Sequence, residues 1–324
     1  MRRVSPADCA QIAAAVQRGD VRQTARLISR IEDDDESVTP VLQSLYQVGG
    51  RTPVIGITGP PGAGKSTLVD QLASSYRSRS LNVAVLAIDP ASPFSGGAIL
   101  GDRVRMARHN TDPGVFIRSM SARGALGGLA RAAGDALTVL DAMGKDVILV
   151  ETVGVGQSEI DIMRHASSVV IVQTPAGGDA VQAVKAGILE IGDVFVVNKA
   201  DTPGADRSAA ALREAVEFRY DPHDAAAWHP PVLKTQATDA SGVSELVEAL
   251  ERHAAHLTAH PAALRQRLLM RARLRVTDLV SEALRRRYLG SDSMDAAYAA
   301  LLDELVDRRT DPHEAARRLL GFSA

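Results

Sequence analysis

Excess charge of one sign, cysteine and long apolar runs are all scarce in this chain of 324 residues. Lysine and arginine total 37 against 39 acids, a formal net charge of −2, so bulk electrostatics give no reason to expect nucleic-acid binding. One cysteine, Cys9, leaves no intramolecular disulfide and no cysteine-cluster metal site. No apolar segment reaches the ~20 residues that span a bilayer, so no membrane partner is expected. Met1-Arg2-Arg3 runs into mixed polar residues rather than an apolar stretch and does not resemble a signal peptide, so no secretory signal is expected. A reducing cytoplasm is the expected compartment for a bacterial source. Repeats and low-complexity tracts are lacking too. What is present, 45% hydrophobic and 23% charged residues, is an ordinary composition with enough chain for a sizeable core.

The pattern divides the chain into three. Residues 1–50 form an N-terminal helical segment. Ser5 to Ile31 reads as helical, with Ile12, Val16, Ala25, Leu27 and Ile28 on apolar faces, and the acidic run Glu32-Asp33-Asp34-Asp35-Glu36 ends it as a solvated turn. Val38 to Val48 is a further helix, closed by Gly49-Gly50. Residues 51–257 alternate short β-branched runs with helical stretches, as expected for an α/β fold with a mostly parallel sheet. The strand candidates are Val54–Thr58, Val83–Ile88, Val115–Arg118, Val147–Glu151, Ser168–Gln173, Val194–Asn198 and Val232–Thr235. Residues 258–324 carry no strand. Pro261 to Arg287 forms an arginine-rich helix with a stripe of Leu264, Leu268, Ala272, Val276, Leu279 and Ala283, followed by helices at Asp295 to Arg308 and from Pro312. Such stripes serve packing between helices or between subunits.

Open parallel sheets bind ligands beyond the carboxyl ends of their strands, and that is where the polar motifs fall. After the first strand comes Gly59-Pro60-Pro61-Gly62-Ala63-Gly64-Lys65-Ser66-Thr67, a G-x-x-x-x-G-K-[ST] phosphate-binding loop. Its glycines let backbone amides converge on phosphate oxygens, Lys65 would reach the β- and γ-phosphates, and Ser66 would put a hydroxyl on Mg²⁺. After the sixth strand comes Asn198-Lys199-Ala200-Asp201, an N-K-x-D motif. The Asp201 carboxylate can accept both the N1–H and the 2-amino group of guanine, a donor pair that adenine lacks. Asn198 can brace the phosphate loop, and the Lys199 stem can cover the base. Gln236-Ala237-Thr238 can add a backbone N–H to the guanine oxygen. GTP or GDP is therefore the expected nucleotide. Asp89, Asp102 and Glu151 are the candidate acids for Mg²⁺. Glu151-Thr152-Val153-Gly154 stands where many GTPases carry D-x-x-G. Val155 follows that glycine, and the glutamine that could orient water, Gln157, is displaced, so slow hydrolysis without a partner is expected.

The glutamate in place of the usual aspartate, the intact N-K-x-D, and the words Ala98-Ile99-Leu100-Gly101-Asp102-Arg103, Leu126-Gly127-Gly128-Leu129 and Glu151-Thr152-Val153-Gly154-Val155-Gly156-Gln157-Ser158-Glu159 resemble the MeaB/ArgK group of SIMIBI-class P-loop GTPases. The resemblance covers nearly the whole chain. It implies a P-loop NTPase fold with a C-terminal helical dimerisation segment, a homodimer, and a G-protein chaperone that loads and protects adenosylcobalamin in an acyl-CoA mutase. The mutase would act on methylmalonyl-CoA, or on isobutyryl- or 2-hydroxyisobutyryl-CoA. By motif, Lys65, Ser66, Asp89, Asp102 and Glu151 match the group's phosphate and Mg²⁺ residues. Pro175 to Lys185 resembles its third switch loop, with Asp179 and Lys185 as functional charges. A lysine delivered there could stabilise transition-state charge as an arginine finger does. Ala186 stands where the group often has a second lysine.

Other readings remain open at this stage. A metal-delivery GTPase of the same class would need Cys or His donors, for which His253, His256 and His260 are the candidates. A small-molecule kinase would use the same phosphate loop. A protein that holds nucleotide only for structure would need no turnover.

Overall fold

The computed structural model describes residues 5–50, 52–89, 106–109, 111–121, 128–152, 165–175, 189–218, 227–289 and 292–321. Seven strands form one sheet: β1 (Val54–Thr58), β2 (Val83–Asp89), β3 (Val115–Ser121), β4 (Val147–Thr152), β5 (Ser168–Gln173), β6 (Val194–Asn198) and β7 (Val232–Thr235). Their order is β3-β2-β4-β1-β5-β6-β7, and every pairing is parallel. The near-continuous hydrophobicity of the central runs follows from burial on both faces; β4, β5 and β6 are buried along their whole length, whereas the edge strands β3 and β7 are largely half-buried.

Side chains alternate across the sheet, and each parity meets its own layer. Ile55, Ile57, Val147, Leu149, Val170, Val172, Val194 and Val196 pack with Leu68, Leu72 and Tyr76 of α4 (Lys65–Ser78) and with Leu246 and Leu250 of α7 (Val243–Ala259). Ile148, Val150, Val169, Ile171, Phe195 and Val197 face the other way. They share a core with α1 (Pro6–Gln17), α2 (Val21–Glu32), α3 (Thr39–Val48), α5 (Gly128–Ala142) and α6 (Ala205–Glu217). The helices of residues 6–48 thus bury their apolar faces in the same core as the sheet. Residues Met1–Leu269 form one compact unit.

Three local readings change. The span Ser5 to Ile31 is two helices, because Asp20 turns its carboxylate onto the Gln23 amide at 2.9 Å and caps a new helix. The acidic run after it is not simply solvated. Glu32 pairs with Arg118 of β3, which also donates to Ser29 Oγ at 3.0 Å, and Asp35 pairs with Arg30 at 2.7 Å. The Ser37 hydroxyl, foremost, and Arg30 hold the Asp35 carboxyl below its ordinary range. β3 is also longer than its apolar core predicts, since ladder pairing with β2 carries it to Ser121.

Opposite the carboxyl edge, polar side chains tie strand starts to helices. Asp193, just before β6, accepts the Val169 amide at 2.9 Å and meets Arg267 of α8 (Pro261–Leu289) at 2.5 Å. His253 Nε2 lies 3.3 Å from Asp193, and its Nδ1 lies 2.8 Å from Ser168 Oγ. Serine, histidine and aspartate stand in line here, but exposures of 5%, 0% and 4% leave no access for substrate, so the group acts as a structural tie. Trp228, the single tryptophan, donates to the Asp193 carbonyl at 2.8 Å and packs against His253 and His256. His256 in turn stacks on His260 at 4.2 Å.

Burial first, then charge on His260, Arg267 and His229, lowers the His256 pKa from its ordinary 6.5. As pH falls through 6.5 the unfolded chain takes up this proton before the folded one does. The stabilisation present above that value is therefore lost as pH drops toward the folded pKa. Trp228 emission is expected to fall at a midpoint below 6.5 as the neighbouring imidazolium forms, and His256→Gln should remove that step. A pH-independent emission in the parent protein would refute the assignment.

The second unit, Met270–Ala324, contains the rest of α8, α9 (Asp292–Val306) and α10 (Pro312–Leu320). Asp311 caps α10 through the His313 and Glu314 amides at 2.9 and 3.1 Å, and Arg318 meets Glu304 of α9 at 2.7 Å. Leu301 and Ala315 are buried, whereas Val276, Leu279, Val280, Leu284, Leu302 and Val306 are exposed.

Candidate nucleotide site

The strand ends that carry these motifs, those of β1, β2, β4, β6 and β7, lie along the carboxyl edge of the sheet. Gly59 leaves β1 and the loop closes into α4 through Gly64, which has φ 85°. A side chain at Gly64 would place its Cβ 2.4 Å from Asn198 Nδ2, and one at Gly59 would lie 2.0 Å from the Val172 carbonyl oxygen. These two glycines are needed for close approach as well as for turning. Ala63 is buried, while Pro61, Gly62 and Thr67 are exposed at the mouth and Pro60 is half-buried. Lys65 is 5% exposed and donates from Nζ to the carbonyls of Gly59 and Pro60 at 2.9 and 3.0 Å. The loop's own oxygens therefore hold an ammonium beside the turn where helix amides converge, an arrangement suited to anions.

Strand parity explains the acid. Glu151 lies two residues beyond Leu149, so it faces α4, and its Oε1 accepts the Ser66 hydroxyl at 2.6 Å. Glu151 is 3% exposed. Two buried hard oxygens at the start of the P-loop helix fit Mg²⁺, which is usually held by one or two carboxylates together with phosphate and water. Asp89 is the last residue of β2, in register with Ser121. Asp102, Gln157, Asp179 and Lys185 lie outside the described residues. Among the described residues, no three His, Cys, Asp or Glu side chains converge as a metal cluster.

The base-side motif is built around Asn198, which is 2% exposed. Its Nδ2 donates to the Ala63 carbonyl at 2.8 Å. Its Oδ1 accepts the Thr235 hydroxyl at 3.0 Å and the Ala237 amide at 3.1 Å. One side chain thus joins the phosphate loop to the turn Gln236-Ala237-Thr238. That turn is closed by the Gln236–Ser241 bridge, and Ala237 is buried within it. The Ala200 amide bonds the Thr235 carbonyl at 3.0 Å, and Lys199 adopts φ 59°. Lys199 and Asp201 are exposed beyond this tie, free of the sheet and accessible to a base. Thr235 was not a candidate on sequence. Its hydroxyl is buried at the end of β7 and so needs a partner, which Asn198 supplies.

A parallel sheet with a G-x-x-x-x-G-K-[ST] turn between β1 and its helix defines a P-loop nucleotide-binding protein. The family model described as methylmalonyl Co-A mutase-associated GTPase MeaB matches residues 24–293, and the chain belongs to that family. A putative GTPase of Pyrococcus abyssi is 45% identical over 305 residues, covering 94% of each chain. The mitochondrial methylmalonic aciduria type A homolog of Mus musculus is 36% identical over 196 residues, 59% of this chain and 46% of that protein. Among solved structures, one described as a LAO/AO transport system kinase matches with a TM-score of 0.73 and 25% identity over 98% of both chains.

Proposed function

We propose that this chain is a GTP-hydrolysing chaperone for an adenosylcobalamin-dependent acyl-CoA mutase. It would gate entry of the cofactor and removal of its damaged form. The observation that carries this reading is the Ser66–Glu151 contact. It couples the hydroxyl at the phosphate end to the first residue of Glu151–Glu159, the stretch most specific to the family. The family's description supports the client, since it names methylmalonyl-CoA mutase.

In this reading the P-loop amides and Lys65 bind the triphosphate, and Asn198, Lys199, Asp201 and the turn Gln236–Thr238 select guanine. Ser66, Glu151, Asp89 and Asp102 hold Mg²⁺, which would offset phosphate charge. Asp179, Lys185 and Gln157 are assigned to the switch that completes catalysis. Hydrolysis is slow until the client docks, and the exposed apolar residues of α8 and α9 support a homodimer. The site of action is the cytoplasm.

The purified protein, immobilised with non-hydrolysable GTP and separately with GDP, is expected to retain an acyl-CoA mutase subunit in one nucleotide state only. Adding that mutase should raise GTP turnover. Retention of no mutase in either state, or transfer of labelled γ-phosphate to an amino acid rather than water, would overturn the proposal.

A further inference from the structure

Ser66–Glu151 is one contact at the carboxyl end of β4, and it ties that strand end to the start of α4. A second contact lies on the opposite face. β1 and β4 run in register with Ile57 beside Glu151, so the next residues, Thr58 and Thr152, adjoin with reversed parity. The Thr152 hydroxyl donates to the Thr58 hydroxyl at 3.0 Å. Thr58 is 2% and Thr152 0% exposed, in strands built mostly of valine, isoleucine and leucine. Valine would fill the same volume without burying a hydroxyl, which is unfavourable unless it is bonded. Thr58 immediately precedes Gly59, where the phosphate loop begins. Thr152 immediately follows Glu151.

We propose that Thr58 and Thr152 are positioning residues for GTP hydrolysis. Their hydroxyl–hydroxyl bond sets the end of β1, and so the phosphate loop, against the strand end that carries Glu151. The threonine pair fastens the ends of β1 and β4 directly on one face, and on the other Ser66–Glu151 fastens β4 to α4, which the phosphate loop joins to β1. Neither strand end can slide along the other without breaking a bond. The Ser66–Glu151 distance is thereby held from below as well as by its own contact. Misplacement of a catalytic group by an ångström is enough to change rate far more than affinity.

The test compares Thr152→Val, Thr58→Val, the double variant and Thr152→Ser in steady-state GTP hydrolysis across a Mg²⁺ titration. Each valine variant is expected to lower kcat about tenfold, leave KM for GTP within about twofold, and raise the half-saturating Mg²⁺ several-fold. The double variant should be no worse than either single one, since all three break the same bond. Thr152→Ser, which keeps the hydroxyl, should return kcat to within about twofold of the parent. A lower melting temperature with kcat and Mg²⁺ dependence unchanged would make the pair merely structural and overturn the proposal. So would additive losses in the double variant. Thr58→Val serves if Thr152→Val fails to fold, because each removes the bond from a different strand. The inference rests on hydrolysis at this site: a parent protein without turnover would overturn that premise, whereas unchanged turnover in the valine variants overturns only the role of the pair.

Discussion

Lys65→Ala is expected to reduce GTP turnover on the order of 10²- to 10³-fold, the usual loss when one preorganised donor to developing charge is removed. The ammonium now bonds the Gly59 and Pro60 carbonyls, so it stands at the turn that would face the β- and γ-phosphates. No other Lys or Arg occurs between Gly59 and Thr67. The fold should survive. Lys65 opens α4, where alanine is the best helix former, and the two lost hydrogen bonds are worth about 1 kcal/mol each. Calorimetric titration with GTP and GDP, beside thermal unfolding, separates the two roles. If Lys65 only braces the loop carbonyls, the melting temperature will fall while nucleotide binding and turnover persist, and the phosphate assignment fails.

Asp201→Asn is expected to exchange the base that the site accepts. Guanine presents N1–H and a 2-amino group, two donors that a carboxylate satisfies together. Xanthine carries a carbonyl oxygen at the second position, which an asparagine amide can meet with its NH₂. A site made to hydrogen-bond one partner rejects the other by leaving buried polar groups unpaired. The ratio of XTP to GTP affinity should therefore rise on the order of 10³-fold in competition binding. Asp201 is exposed, beyond the Ala200–Thr235 bond that fixes its turn, so stability should change by no more than about 0.5 kcal/mol. An unchanged ratio would show that the base is recognised elsewhere.

The sheet was legible because buried parallel strands write themselves as apolar, β-branched-rich runs, nearly unbroken in β4, β5 and β6, and all seven strands lie where such runs stand. Helix breaks were harder. Gly19-Asp20 interrupts an apolar periodicity that continues on both sides, and only the capping carboxylate of Asp20 marks the new start. In the site, the residues assigned to nucleotide announce themselves by motif, since glycine, lysine and aspartate at fixed spacing have few other uses. Residues that position them do not. Thr235, Thr58 and Thr152 act through hydroxyls at strand ends, and their partners are fixed by register and parity between strands distant in sequence. Glu32 reads as part of an acidic turn until β3 brings Arg118 beside it.

The Asn198 amide has a consequence for what the protein can mistake for its ligand. Because it ties Ala63 to Thr235 and Ala237 at once, the span between the phosphate turn and the base-binding turns is a set length. A nucleotide bound as proposed would have its two ends gauged together, as between the jaws of a caliper. A shorter or differently based molecule meets one jaw and misses the other, and no local adjustment of either loop can close the gap without releasing Asn198 from both.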